Sequence, residues 1–303
     1  MTLLSVLLAL ILEQFRPLDA LRMQGRLRSL AIYLETRLND GQPNRGVLAW
    51  IIVVALPSAL VGALWLIALA LQPVAALLLG VAMLYMTMGF RQFSHFFTDL
   101  LLALRMGELD RARSLLGEWR NRNSDRLNSG EIARLAIEEA LVASHRNVFG
   151  PLLWFVLLGP AGSLLYRLSQ FFAQYWDTGT GAEFGAFARR AFAWLDWLPI
   201  RVSAAGFAVA GDFEDAVYCW RTQAGRWPDP ATGILIASGA GALGVRLGMP
   251  LHGDAEALDR PEIGTGDDAD VDFMQSTIGI VWRTLVLGLL LLALIWVAGW
   301  VGR

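Results

Sequence analysis

The sequence predicts an all-α integral membrane protein, with about four transmembrane helices joined by short inserted and amphipathic helices. Three observations predict it. The 303 residues are 55% hydrophobic and only 17% charged, with a mean hydropathy of +0.48, a balance foreign to soluble domains. Several apolar runs approach or exceed the roughly 20 residues that a helix needs to cross a bilayer. The twelve tryptophans fall mostly at the ends of those runs or inside them, where interfacial belts and core packing account for them.

Residues 2–12 are apolar but too short to span. They read as an inserted or interfacial helix ended by Glu13 and Arg16. No charged segment or small-residue cleavage site accompanies them, so a cleaved signal peptide is not expected. Residues 17–46 are Arg-rich, with apolar Leu18, Leu21, Leu27 and Leu30 at helical spacing. This is the pattern of an amphipathic surface helix, closing near Asn39-Asp40-Gly41. Residues 47–71 carry no charge over 25 positions and form the first span, with Pro57-Ser58 as a kink site. Gln72-Pro73 turns the chain into a second span, 74–90. These parts make a first domain, 1–90. The flanks 14–46 and 91–149 then lie on one side; their six and nine arginines place that side in the cytoplasm.

Residues 91–149 are the least membrane-like and read as a cytoplasmic helical subdomain, with Ser129 as an N-cap. The membrane domain, 150–303, opens with a third span at 151–172. Its Gly159-Pro160-Ala161-Gly162-Ser163 run either admits a close neighbour or breaks the helix. Residues 184–220 read as two partly inserted helices broken at Pro199. Residues 231–247 are glycine-rich and apolar. Residues 252–272 hold eight acids and read as a solvated loop without the geometry of an EF-hand. Residues 278–301 form the last span, with Arg283 snorkelling near its start. Segment 173–277 has seven arginines against fifteen acids, which suits the periplasmic side.

Composition also excludes chemistry. A net charge of −2 leaves no basic face for nucleic acid. The single cysteine, Cys219, permits no intramolecular disulfide and reads as a small buried residue. All 25 basic residues are arginine, so there is neither a Walker-type loop nor a lysine for a Schiff base. His95, His145 and His252 lack metal-ligand spacing; Asp99, one turn from His95, makes a surface pair the simplest reading. Gly239-Ala240-Gly241-Ala242-Leu243-Gly244 matches Gly-x-Gly-x-x-Gly by letter only. With no strand–helix unit around it, it reads as small-residue helix packing.

The stretch from Glu138 to Arg201 carries the one recognisable pattern. Phe184, Gly185, Arg190, Pro199 and Arg201, with the preceding Pro151-Leu152-Leu153-Trp154 and the following Leu195-Asp196-Trp197-Leu198-Pro199-Ile200-Arg201, resemble the CobD/CbiB family and, within it, AmpE proteins. Enzymes of that family are membrane-bound adenosylcobinamide-phosphate synthases. They join adenosylcobyric acid to an aminopropanol phosphate with ATP and magnesium. AmpE proteins are linked to β-lactamase regulation. Two adjacent aspartates of the family pattern fall here on Phe192 and Ala193, its asparagine on Asp196, and an upstream acidic set on Glu138, Val142, Ala143 and Arg146. Ser169-Gln170 stands where the enzymes carry Asn-Thr-x-Asp. Only the first glutamate survives. Because magnesium wants carboxylate and phosphate oxygens, the resemblance implies a non-enzymatic, AmpE-like regulator of the bacterial inner membrane, without cofactor. The alternative is the synthase itself, with ATP and magnesium; a transporter or lipid-binding protein built on breaks at Pro160 and Pro199 is a third reading. The remaining polar set is Glu138, Arg146, Arg167, Arg190, Asp196 and Arg201. It reads either as a site for a small anionic ligand or as structural pairs, Glu138–Arg146 and Asp196–Arg201. Expected partners are membrane lipids and either an unidentified protein or that anion, not nucleic acid.

Overall fold

The structure, a computed structural model, describes residues 2–15, 20–39, 42–176, 183–251 and 260–301. The loop at 177–182, His252, the first part of the acidic run, Arg16 and Asp40-Gly41 lie outside the described residues. Helices dominate, as composition demands. Three helical stretches are long and apolar enough to cross a membrane: Asn44–Leu71, Ser129–Leu158 and Val271–Gly299. The chain falls into two compact units, one of residues 1–90 and 147–199, the other of 91–146 and 200–303.

In the first unit, α1 (Thr2–Phe15) packs on α5 (Pro73–Thr87). The contact is close because Gly80 has no side chain: a Cβ there would lie 3.1 Å from Ser5 Oγ. Helix α2 (Ala20–Leu38) precedes α3 (Pro43–Trp50), which runs through a π-helical turn, Ile51–Ala55, into α4 (Leu56–Leu71). Pro57 sits in the first turn of α4, where its missing N–H is tolerated, so the expected kink is a π turn within a continuous span. The expected second span is α5, only 15 residues. At 1.5 Å per residue it covers about 22 Å, short of a hydrocarbon core.

The expected third span is not one helix. It divides into α9 (Gly150–Leu158) and α10 (Pro160–Tyr175) at Gly159. Gly159 takes φ +66° and ψ −154°, a conformation that glycine alone adopts freely. The two helices then fold onto each other so closely that a Cβ at Gly162 would stand 2.2 Å from the Trp154 carbonyl. Apolar stretch length therefore hid a hairpin. Its inner side belongs to an aromatic core in which Trp176 meets Phe172 at a tilt and Phe184 edge to face, with centroids 4.8 and 5.1 Å apart.

Helix α11 (Ala186–Ala210) corrects a second expectation: it passes through Pro199 without breaking. An internal proline leaves the carbonyl four residues back without its N–H partner. That carbonyl is Leu195 O, and it accepts instead from Trp154 Nε1 at 3.1 Å. The same remedy serves Pro151, in the first turn of α9 after a π turn, His145–Phe149. The carbonyl it orphans, Asn147 O, accepts from the Gly89 N–H at 3.2 Å.

The second unit holds α6 (Phe90–Arg105), α7 (Leu109–Arg120), α8 (Ser129–Ser144), α12 (Phe213–Gln223), α13 (Pro230–Leu243) and α14 (Val271–Val301). The N-cap of α8 is Asn128 rather than Ser129. Its side chain accepts from Glu131 N–H, and Glu131 accepts from Asn128 N–H, a complete capping box. The glycines of α13 are packing positions: a Cβ at Gly239 would meet Leu141 at 2.6 Å, and one at Gly241 the Asp215 carbonyl at 2.4 Å. Gly244 ends the helix in the left-handed region. The acidic run is not wholly loop. Strands β1 (Val245–Gly248), β2 (Glu262–Ile263) and β3 (Asp267–Asp268) form a small sheet ordered β2-β1-β3. Leu247 pairs with Ile263 antiparallel, and Arg246 with Asp268 parallel. Arg283 on α14 donates to the Ala210 carbonyl at 3.3 Å.

Replacing Trp154 with Phe removes the indole donor that the structure gives Leu195 O. The expected cost is about 1–3 kcal/mol, the penalty of an unsatisfied buried acceptor. Thermal unfolding in detergent checks it. In a Pro199→Ala background the helix supplies its own N–H, so there the Trp154→Phe cost should shrink; an equal cost in both backgrounds would refute the compensation.

Candidate functional site

The densest set of buried charges lies on α8. Glu131, Arg134 and Glu138, with the imidazole of His145 in the π turn that continues the helix, follow at spacings of three, four and seven, which puts all four on one stripe. All four are buried. So are Ile132, Ala133, Leu135, Ala136 and Ile137 between them, so the middle of α8 is enclosed, while Glu139, Val142 and Ala143 are half-buried. Charges enclosed in this way must be paired or must serve a ligand.

Glu138, 6% exposed, is held from two directions. The Gly248 N–H donates to its Oε1 at 2.8 Å, and Arg260 Nη2 donates to the same oxygen at 2.6 Å and also to Oε2. Gly248 has φ +77°, and a Cβ there would sit 1.9 Å from the Pro261 carbonyl, so a side chain is excluded where β1 meets α8. Arg260 lies over the Trp227 ring, 5.3 Å from its centroid, a cation–π contact that stands in for lost hydration. On β1, Arg246 reaches Asp268 at 3.0 Å and Glu262 at 3.7 Å. Further along α8, His145 Nδ1 lies 2.8 Å from Ser203 Oγ.

The first unit holds a separate polar set. Tyr166 donates its hydroxyl to Asp196 Oδ1 at 2.7 Å. The ring has room because position 150 is glycine; a Cβ there would fall 2.3 Å from Tyr166 Cζ. Arg167 donates to Asn147 Oδ1 at 2.7 Å and to Gln170 Oε1 at 3.0 Å. Arg190 is exposed and turns to its own helix, at the Ala186 carbonyl, 3.3 Å away.

The six residues expected from sequence are thus divided. Arg167, Arg190 and Asp196 belong to one unit; Glu138, Arg146 and Arg201 belong to the other. The expected Glu138–Arg146 pair does not form, because eight helical residues separate them by about 12 Å, and Arg260 takes the carboxylate instead. His95 and Asp99 are exposed on α6. Among the described residues no three His, Cys, Asp or Glu side chains come together as a metal site.

The comparisons decide the family. The CobD/CbiB family model, described as CobD/Cbib protein, matches residues 3–281. The chain belongs to the CobD/CbiB family. It is 34% identical over 271 residues to the Cobalamin biosynthesis protein CobD of Stutzerimonas stutzeri (strain A1501), covering 87% of each chain. It is 35% identical over 201 residues to the protein of that name from Chromobacterium violaceum, covering 66% of this chain and 64% of the relative. A third, from Streptococcus sanguinis, is 25% identical over 311 residues, 97% of each chain. No solved structure matches.

These relatives overturn the expectation of a non-enzymatic AmpE-like regulator. The likeness to proteins named for cobalamin biosynthesis runs along nearly the whole chain, whereas the argument from missing carboxylates rested on short motifs laid down without gaps. In this CobD/CbiB member, acids and arginines gather from segments more than a hundred residues apart, which a local register does not sample. Sequence reasoning accordingly missed Arg134, Arg246, Arg260 and Gly248. The available signal was the stripe Glu131-x-x-Arg134-x-x-x-Glu138 on one helix face.

Two outcomes are expected. Glu138→Gln leaves Arg260 buried against Trp227 without its counter-charge and should cost about 3–5 kcal/mol, seen as a lower melting temperature. Adding Arg260→Met should recover part of the loss. Cys219 is enclosed; burial, joined by the nearby Asp215 charge, pushes its thiol up, against a weaker opposing bond from Thr265. A thiol reagent at mildly alkaline pH should therefore label Cys219 only after denaturation, as followed by mass spectrometry.

Proposed function

We propose that this protein is an inner-membrane enzyme of cobalamin biosynthesis, an adenosylcobinamide-phosphate synthase that joins adenosylcobyric acid to an aminopropanol phosphate at the expense of ATP. One observation carries the reading: 34% identity to a cobalamin biosynthesis protein across 87% of both chains. A bilayer setting is supported by the outward rows of Leu60, Leu64, Ile67 and Leu71 on α4, and of Leu290, Leu294, Ile295 and Val297 on α14, all exposed. Apolar surface on that scale calls for a cover, and lipid is the cover a bundle of spans would have.

The chemistry of the reactants suits the side chains. The acid substrate brings a carboxylate, and the amine and the nucleotide bring phosphates. The chain meets such oxyanions with arginine alone, whose fork matches them. The described residues do not build a cage for magnesium. Their contribution is to bind and orient the anionic groups and to keep water from them: Glu131, Arg134 and Glu138 on α8 are buried, and Glu138 is held in place by Arg260 and by the backbone of β1.

Expression in a strain lacking its own synthase tests the proposal. Membranes supplied with adenosylcobyric acid, aminopropanol phosphate, ATP and magnesium should yield adenosylcobinamide phosphate. With the protein confirmed in the membrane, absence of product would overturn the reading.

A further inference from the structure

In the charged cluster between α8 and the small sheet, the buried side-chain atoms left without a partner are donors. Three guanidinium Nε–H groups, those of Arg134, Arg246 and Arg260, are buried with no hydrogen-bond partner among the described residues. The three belong to one cluster. The charges that act on Arg134 are those of Glu138, Arg260, Glu131 and Asp268, and Asp268 is the acid that Arg246 holds. Each acid is already engaged. Glu138 is taken by Arg260 and the Gly248 N–H, Asp268 by Arg246, and Glu131 by the Asn128 N–H of the capping box. Arg260 therefore has an acid, and Arg246 has two, Asp268 and Glu262. Arg134, 8% exposed, sits among acids that others occupy.

Arginine carries five N–H donors, no acceptor and a permanent charge. A donor surplus around a buried cation is relieved by a group that only accepts and is negative. Water brings two donors with its acceptors and no charge. An oxyanion brings acceptors alone.

We propose that Arg134 is an anion-binding residue whose guanidinium holds a phosphate or carboxylate of the bound ligand. The ligand class rests on the synthase reading, in which every reactant carries such a group. The site itself rests on the unused donors.

Anion binding is therefore measured apart from synthesis. The full-length protein in detergent is titrated with inorganic phosphate, and separately with acetate, at ionic strength held constant with chloride, while its melting temperature is followed by tryptophan fluorescence. A saturable rise is expected with at least one of the two. Saturation by phosphate alone assigns the site to a phosphate group, and saturation by acetate alone to a carboxylate. Arg134→Gln should weaken that binding by at least about tenfold, the loss of a charge-assisted bond. Arg134→Lys, which keeps the charge and loses the fork, should weaken it less, and it carries the comparison if the glutamine variant does not fold. No saturable rise with either anion in the unaltered protein, or undiminished binding in the folded variants, would overturn the site. Anion binding without product would overturn the synthase reading and leave the site standing.

Discussion

An interior this apolar makes an unsatisfied polar group costly, and that constraint organises both units. Where proline removes a helical N–H, the carbonyl it orphans finds a donor on another segment: Leu195 O takes the Trp154 indole, and Asn147 O takes the Gly89 N–H. These bonds fix which helices lie side by side. Burial of apolar area supplies the driving force but no direction; the orphaned carbonyls supply direction. Glycines at 150, 159 and 162 then let backbones and rings approach as those bonds require.

The same constraint shapes the charged cluster. Glu138 is enclosed, so it needs donors, and it draws them from a strand end and from an arginine 122 positions away. Arg260 in turn is sheltered by the Trp227 face. A buried ion pair of this kind is a costly way to gain stability; a hydrophobic pair of the same volume would serve as well. Here it stands beside buried arginine N–H groups that have no partner among the described residues.

Much of the helical content was legible before any coordinates. Runs such as 47–71 and 278–301 declare themselves, because a helix satisfies its own backbone within the segment and needs no partner to do so. The misreadings have a common origin. A 22-residue stretch at 151–172, apolar apart from a few residues such as Arg167 and Gln170, looks like a span whether or not it doubles back, since Gly159 costs nothing in hydropathy and everything in direction. Pro199 looks like a break unless the distant Trp154 is known to be at hand. The polar set chosen from local motifs contained Glu138 but neither of its partners.

Sequence by itself determined the all-α class, the long apolar runs, the absence of lysine chemistry and the family resemblance, because each is a property of composition or of neighbours along the chain. Tertiary structure decided where apolar runs fold back, which donor meets the carbonyl that each proline orphans, and which arginine meets Glu138. Those are pairings between residues tens to a hundred positions apart, and hydrogen bonds and ion pairs act over a few ångströms of space, not along the chain.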